Sequence, residues 1–124
     1  MKKEKLMRER RQSVRFRVLS LVKHATEPDT LVFSVSNIRN ISRGGLAFFT
    51  EEKLEGALLE LHFLPPNRKE PVKARGKVVR SSRAKKNKKA FKVGLQFLDV
   101  SEDARLAIEE LEASFLASQQ EDSE

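Results

Sequence analysis

The sequence predicts a mainly β domain of about six strands, preceded by a basic arm and followed by one amphipathic helix. Three observations carry that prediction. Between Arg15 and Phe97 apolar and polar residues mostly alternate, the period of strands with one buried face. After Asp99 the apolar spacing lengthens to that of a helix. Residues 1–17 hold eight Lys or Arg against two Glu, a net +6 with little to bury.

Taken in order, Phe16, Val18 and Val22 share one parity and predict a first strand entered from Arg15; Leu31, Phe33 and Val35 share one and predict a second. Pro28 and Asp29 sit in turn-making positions between them, which makes the pair a hairpin. Gly45 to Phe49 reads as a short strand, and Leu59, Leu61 and Phe63 alternate up to a stop at Pro65-Pro66. Val72, Ala74, Gly76 and Val78 put one face inward, with Lys73, Arg75 and Lys77 outward. The run from Ala84 to Lys89 is a solvated loop, after which Phe91, Val93, Leu95 and Phe97 alternate with Lys92, Gly94 and Gln96. Ser101 is placed to cap a helix, Glu102 and Asp103 suit its first turn, and Leu106, Leu111 and Phe115 give it an apolar side to about Ser118. The division is therefore an arm at 1–14, a domain at 15–118 and an acidic tail at 119–124.

With 124 residues there is room for one compact domain, and the absence of Cys excludes disulfides, thiolate metal sites and cysteine nucleophiles. No apolar run reaches the length of a membrane span or a signal core, so the expectation is a cytoplasmic protein without membrane insertion. The 25 Lys and Arg against 18 Asp and Glu leave +7, suited to a phosphate-bearing partner. Charge is unevenly spread: residues 68–92 carry twelve cations against one acid, and residues 101–124 carry eight acids against one cation.

Catalytic motifs are missing: there is no HExxH, GxSxG, GxxxxGK[ST] or GxGxxG, so no enzyme, metal or cofactor is expected. His24, beside a turn, and His62, on an outward parity with Glu60, read as solvated surface residues. Asn40-Ile41-Ser42 also fits the glycosylation acceptor pattern, which has no use without a secretion signal. Two stretches are more informative. Arg11 and Arg15 stand four apart at the entry to the first strand, and guanidinium forks bind phosphate oxygens in pairs. Asn40-Ile41-Ser42-Arg43-Gly44-Gly45 should make a tight turn that exposes N–H groups and a hydroxyl to an anion.

In this order the two stretches resemble the PilZ domain, the bacterial receptor module for cyclic di-GMP, whose pattern is RxxxR in an N-terminal arm and then [D/N]xSxxG after a second strand. Arg11 and Arg15 match the first motif; Asn40, Ser42 and Gly45 match the second. The run from Val93 to Glu102 is similar to the family's last strand leading into its helix, so the likeness extends from about Arg8 to Ser118. It implies a six-stranded antiparallel β-barrel with a C-terminal helix and a flexible basic N-terminal arm. It also implies that Arg11 and Arg15 hold the ligand's phosphates and guanine edges, while Asn40, Ser42 and the Gly45 backbone contact a guanine. Arg10 resembles the basic residue of members that take up two intercalated ligands, which implies a 2:1 complex. Arg80 falls near a strand position that can stack on a guanine, and with no Trp or Tyr in the chain arginine must supply that contact. Asn40 replaces the family's acid, at a cost on the order of 1 kcal/mol in the bond to guanine.

The resemblance further implies an adaptor: the ligand orders the arm, and the ordered surface signals to a separate effector protein in motility, exopolysaccharide or virulence control. Two alternatives stand beside it. A basic barrel with the Lys85 to Lys89 loop could bind nucleic acid, although the chain lacks Trp and Tyr for stacking. A PilZ-like module could also bind a protein without any nucleotide.

Overall fold

The computed structural model of the chain describes residues 14–28 and 32–122; the basic arm through Ser13, with Arg10 and Arg11, lies outside them, as do Leu31 and the last two residues of the acidic tail. Six antiparallel strands are present: β1 (Leu21–Thr26), β2 (Ser34–Ser42), β3 (Gly45–Thr50), β4 (Leu58–Phe63), β5 (Val72–Arg83) and β6 (Phe91–Val100). They close into a barrel in the order β1-β2-β3-β6-β5-β4, and helix α1 (Glu102–Asp122) follows. Closure comes from β1 on β4, paired from Val22 with Phe63 to Thr26 with Leu59, so the sheet keeps no open edge.

The alternation in β4, β5 and β6 is the one the sequence predicts. Leu59, Leu61, Phe63, Val72, Ala74, Val78, Val93 and Leu95 all point into the core, while Lys73, Arg75 and Lys77 are exposed. The loop from Ala84 closes on itself through Ala84 N–H to Ala90 O and leaves its lysines in solvent.

Three local expectations are corrected. The first strand begins at Leu21 and not at Arg15. Phe16 pairs with Ile41 and Leu21 with Asn37, five steps along one segment against four along β2, and the surplus throws Leu19 fully into solvent. The second strand has the opposite parity: Ser36 and Ile38 point inward, and Val35 is exposed. His24 accounts for the inversion. It is buried, not a surface residue, with Nε2 2.9 Å from Ser36 Oγ and its ring 4.6 Å from that of Phe48. Two polar groups that satisfy each other can enter a core, and hydropathy reads both as outward.

The helix is capped as expected, Ser101 Oγ accepting the Ala104 N–H at 3.1 Å, but it runs to Asp122 because nothing after Ser118 breaks it. Its inner seam is Ala104, Ala107 and Ile108, with Leu111 and Phe115 partly buried; Leu106 lies off that seam and is exposed. Arg68, bonded to both Asp103 and Glu110, and the Asn67 amide on Ala107 O tie the helix to the β4–β5 connection.

Candidate functional site

Four neighbouring strands build the site. In one row across them Asn40 (β2) faces Ala47 (β3), Ala47 faces Gly94 (β6), and Gly94 faces Arg80 (β5). The next row runs Ser42, Gly45, Gln96, Lys77, and on the other side Phe49, Lys92 and Ser82 form a third. Asn40 and Arg80 thus stand three strand spacings apart, about 14 Å, across a floor of small residues. Above that floor is an open concavity of about 550 Å³.

Each wall has a local cause. Parity alone would send Arg80 inward behind Val78, but the β5–β6 register slips between Val78 and Arg80, and Val79 becomes the extra residue of a bulge. The slip turns Arg80 outward over Gly94. Arg15 is set by its neighbour: Phe16 exchanges two 2.9 Å backbone hydrogen bonds with Ile41 and stacks on Phe115 of the helix at 5.7 Å. With Phe16 buried, Arg15 must face out, onto the concavity.

The turn between β2 and β3 differs from the expectation of exposed donors. Ser42 is buried, its Oγ accepting the Gly44 N–H at 3.2 Å and donating to Gly45 O at 3.4 Å. Neither glycine takes up left-handed backbone. Gly45 is needed for another reason: a Cβ there would lie 1.9 Å from the Leu95 carbonyl oxygen of β6. Beside it, Arg43 Nε lies 3.3 Å from Glu112 of α1, joining the turn to the helix.

Of the residues singled out in the sequence, Arg15, Asn40, Ser42, Gly45 and Arg80 all line this one concavity; Arg10 and Arg11 lie outside the described residues. Sequence reasoning missed Val79, Lys92 and Gln96 as lining residues. The signal for Lys92 and Gln96 was their outward parity on β6, either side of Gly94; for Val79 there was none. Arg15, Arg80 and Lys92 are three cations with no acid in the lining and no carboxylate in ion-pair reach among the described residues. Such an arrangement attracts a multiply charged anion. Among the described residues no group of three His, Asp or Glu could hold a metal, and no helix is long and apolar enough to cross a membrane.

Comparison with known proteins agrees with this architecture. The model of the PilZ domain matches residues 9–114. Among solved structures, the Bacillus subtilis inhibitor of motility (MotI/DgrA) superposes with a TM-score of 0.69 at 21% identity, over 86% of this chain and 52% of that one. The K. pneumonia MrkH–c-di-GMP complex gives 0.65 at 17% identity, over 89% and 53%. The PilZ domain with c-di-GMP of YcgR from Escherichia coli gives 0.58 at 14%, over 92% and 97%. The chain therefore spans about half the length of the first two neighbours and nearly all of the isolated YcgR domain. No curated protein matches it. With a matched stretch that takes in both motif positions, all six strands and most of the helix, this chain belongs to the PilZ domain family.

Proposed function

We propose that this chain is a receptor for cyclic di-GMP that binds in the concavity between Arg15, Asn40 and Arg80 and passes the signal to a partner protein. One observation carries the reading: three cations meet there with no acid among the described residues of the lining, beside the residues of the family's second motif. That neighbouring PilZ structures contain c-di-GMP supports the choice of ligand.

In this reading Arg15, with Arg10 and Arg11 from the arm, neutralises the two phosphates through charge-assisted, often bidentate hydrogen bonds. Arg80 stacks on a guanine or bonds its O6/N7 edge, since a planar guanidinium can do either. Asn40 offers an amide oxygen to guanine N–H groups. Ser42 acts first on the turn, and Gly45 lets β3 approach β6 closely enough to form the floor. Ligand binding draws the arginine-rich arm onto the barrel, and the partner reads the combined surface; chemistry on the ligand is not part of this function.

Calorimetric titration with cyclic di-GMP at moderate salt, beside GTP and a short single-stranded RNA, tests it. Selective saturation by the dinucleotide is expected, at two ligands per chain if Arg10 supports an intercalated pair. No heat, with an unchanged melting temperature, would overturn the receptor reading. Heat from the RNA instead would favour the nucleic-acid alternative.

A further inference from the structure

The barrel's need for glycine differs from position to position. At Gly45 a Cβ would collide with the Leu95 carbonyl, and at Gly76 it would come within 2.5 Å of Leu95 Cδ1. Gly56 has φ of 79°, which other residues rarely adopt. At Gly94 none of these reasons applies. Its φ is not positive, and a Cβ there would meet only Arg80 Cβ, at an ordinary 3.8 Å.

Gly94 lies in the middle of β6, where a missing side chain weakens a strand and has no fold-based return here. What it leaves open is the centre of the concavity. Ala47 is its partner on β3 and Arg80 its partner on β5, with Lys92 and Gln96 two residues away on the same outward side. The result is an opening over the half-buried Gly94 backbone, beside the buried Ala47, rimmed by a guanidinium, an ammonium and a carboxamide. A planar heterocycle can lie flat on bare backbone there; any branched side chain at 94 would stand where the ring must go.

We infer that Gly94 is a ligand-determining position: one guanine of the bound dinucleotide lies flat over the Gly94 backbone, its edge facing Arg80 and Gln96. The inference rests on the receptor reading above and adds the part of the wall that selects a flat ring. Valine at 94 suits a strand better than glycine does, so folding and binding should move apart.

The test is Gly94→Val and Gly94→Ala, each followed by thermal unfolding and by calorimetry with cyclic di-GMP. Gly94→Val is expected to melt at or above the wild-type temperature and to bind at least 30-fold more weakly, and Gly94→Ala to fall between. A folded Gly94→Val that binds within threefold of wild type would overturn the inference while leaving the receptor reading intact. Should both variants fail to fold, Gly94 serves the barrel and the inference is wrong. If wild type itself does not bind, the receptor reading falls and takes this assignment with it.

Discussion

Two concavities of nearly equal size open on this barrel, about 550 and 520 Å³, and their charges are balanced in opposite ways. The first gathers Arg15, Arg80 and Lys92 with no acid among the described residues that line it. The second holds Lys73 and Arg75 together with Glu27, Glu60 and Asp99. Arg75 bonds both oxygens of Glu27, at 2.7 and 3.0 Å, and Asp99 at 3.1 Å. These bonds raise the guanidinium above its usual range and lower the Glu27 carboxyl below its own. Arg75 and Arg80 are five residues apart on β5, and among the described residues only Arg75 has a carboxylate partner. Size therefore does not distinguish the two. Unpaired charge does, and on the proposed function it favours the first, because a cation already bonded to carboxylates has little left to offer a ligand.

The largest expected break in this contrast comes from removing charge on the open side. Arg80→Ala should weaken cyclic di-GMP binding about 30-fold, equivalent to about 2 kcal/mol for a hydrogen bond to a charged group. The matched Arg75→Ala should leave affinity unchanged and lower the melting midpoint slightly, since an exposed pair is screened by solvent. Equal loss of affinity in both variants would mean that charge acts through the whole surface and not through the concavity.

Lys92→Ala should have a smaller effect, about fivefold in affinity, shrinking as salt is raised, as expected of a flexible point charge. Calorimetry at two salt concentrations checks it; an effect insensitive to salt would place Lys92 in direct hydrogen bonding.

The smallest effect concerns neither concavity. Burial pushes His24 below its usual pKa, opposed in part by Glu52. Above pH 6.5 both the folded and unfolded chains hold it neutral; as pH falls below 6.5 the unfolded chain takes up a proton that the folded one refuses, so stability declines toward the lowered folded value. The melting midpoint should drop between pH 7.5 and 5.5, and less so in His24→Gln, which keeps a hydrogen-bonding side chain toward Ser36. An equal drop in both proteins would assign the pH dependence to other groups.

Much of this protein was legible in one dimension. The inward parity of β4, β5 and β6 and the Ser101 cap rest on neighbours two to four residues away, and such spacings survive into the fold unchanged. The motif residues Arg15, Asn40, Ser42 and Gly45 could be named because residue type and order carried them, and Arg80 because the family resemblance pointed to its strand position; they share one concavity. What failed was whatever depended on a distant partner. His24 and Ser36 are both polar, and their mutual hydrogen bond lets Ser36 share the inward face of β2 with Ile38. Leu106 looks like a core residue until the turn of α1 places it in solvent.

The sequence by itself determined a β domain with a basic beginning and an acidic helical end, together with the residue types from which an anion site could be built. Tertiary structure decided which of those residues meet. Closure of β1 on β4 is a pairing between segments far apart in the chain, and no local pattern contains it. A one-residue bulge at Val79 turns Arg80 from the core onto the concavity, and the β3–β6–β5 register brings Gly94, Ala47 and Lys92 to the same opening. Register is set by the partner strand, and a shift of one residue exchanges the two faces of everything beyond it.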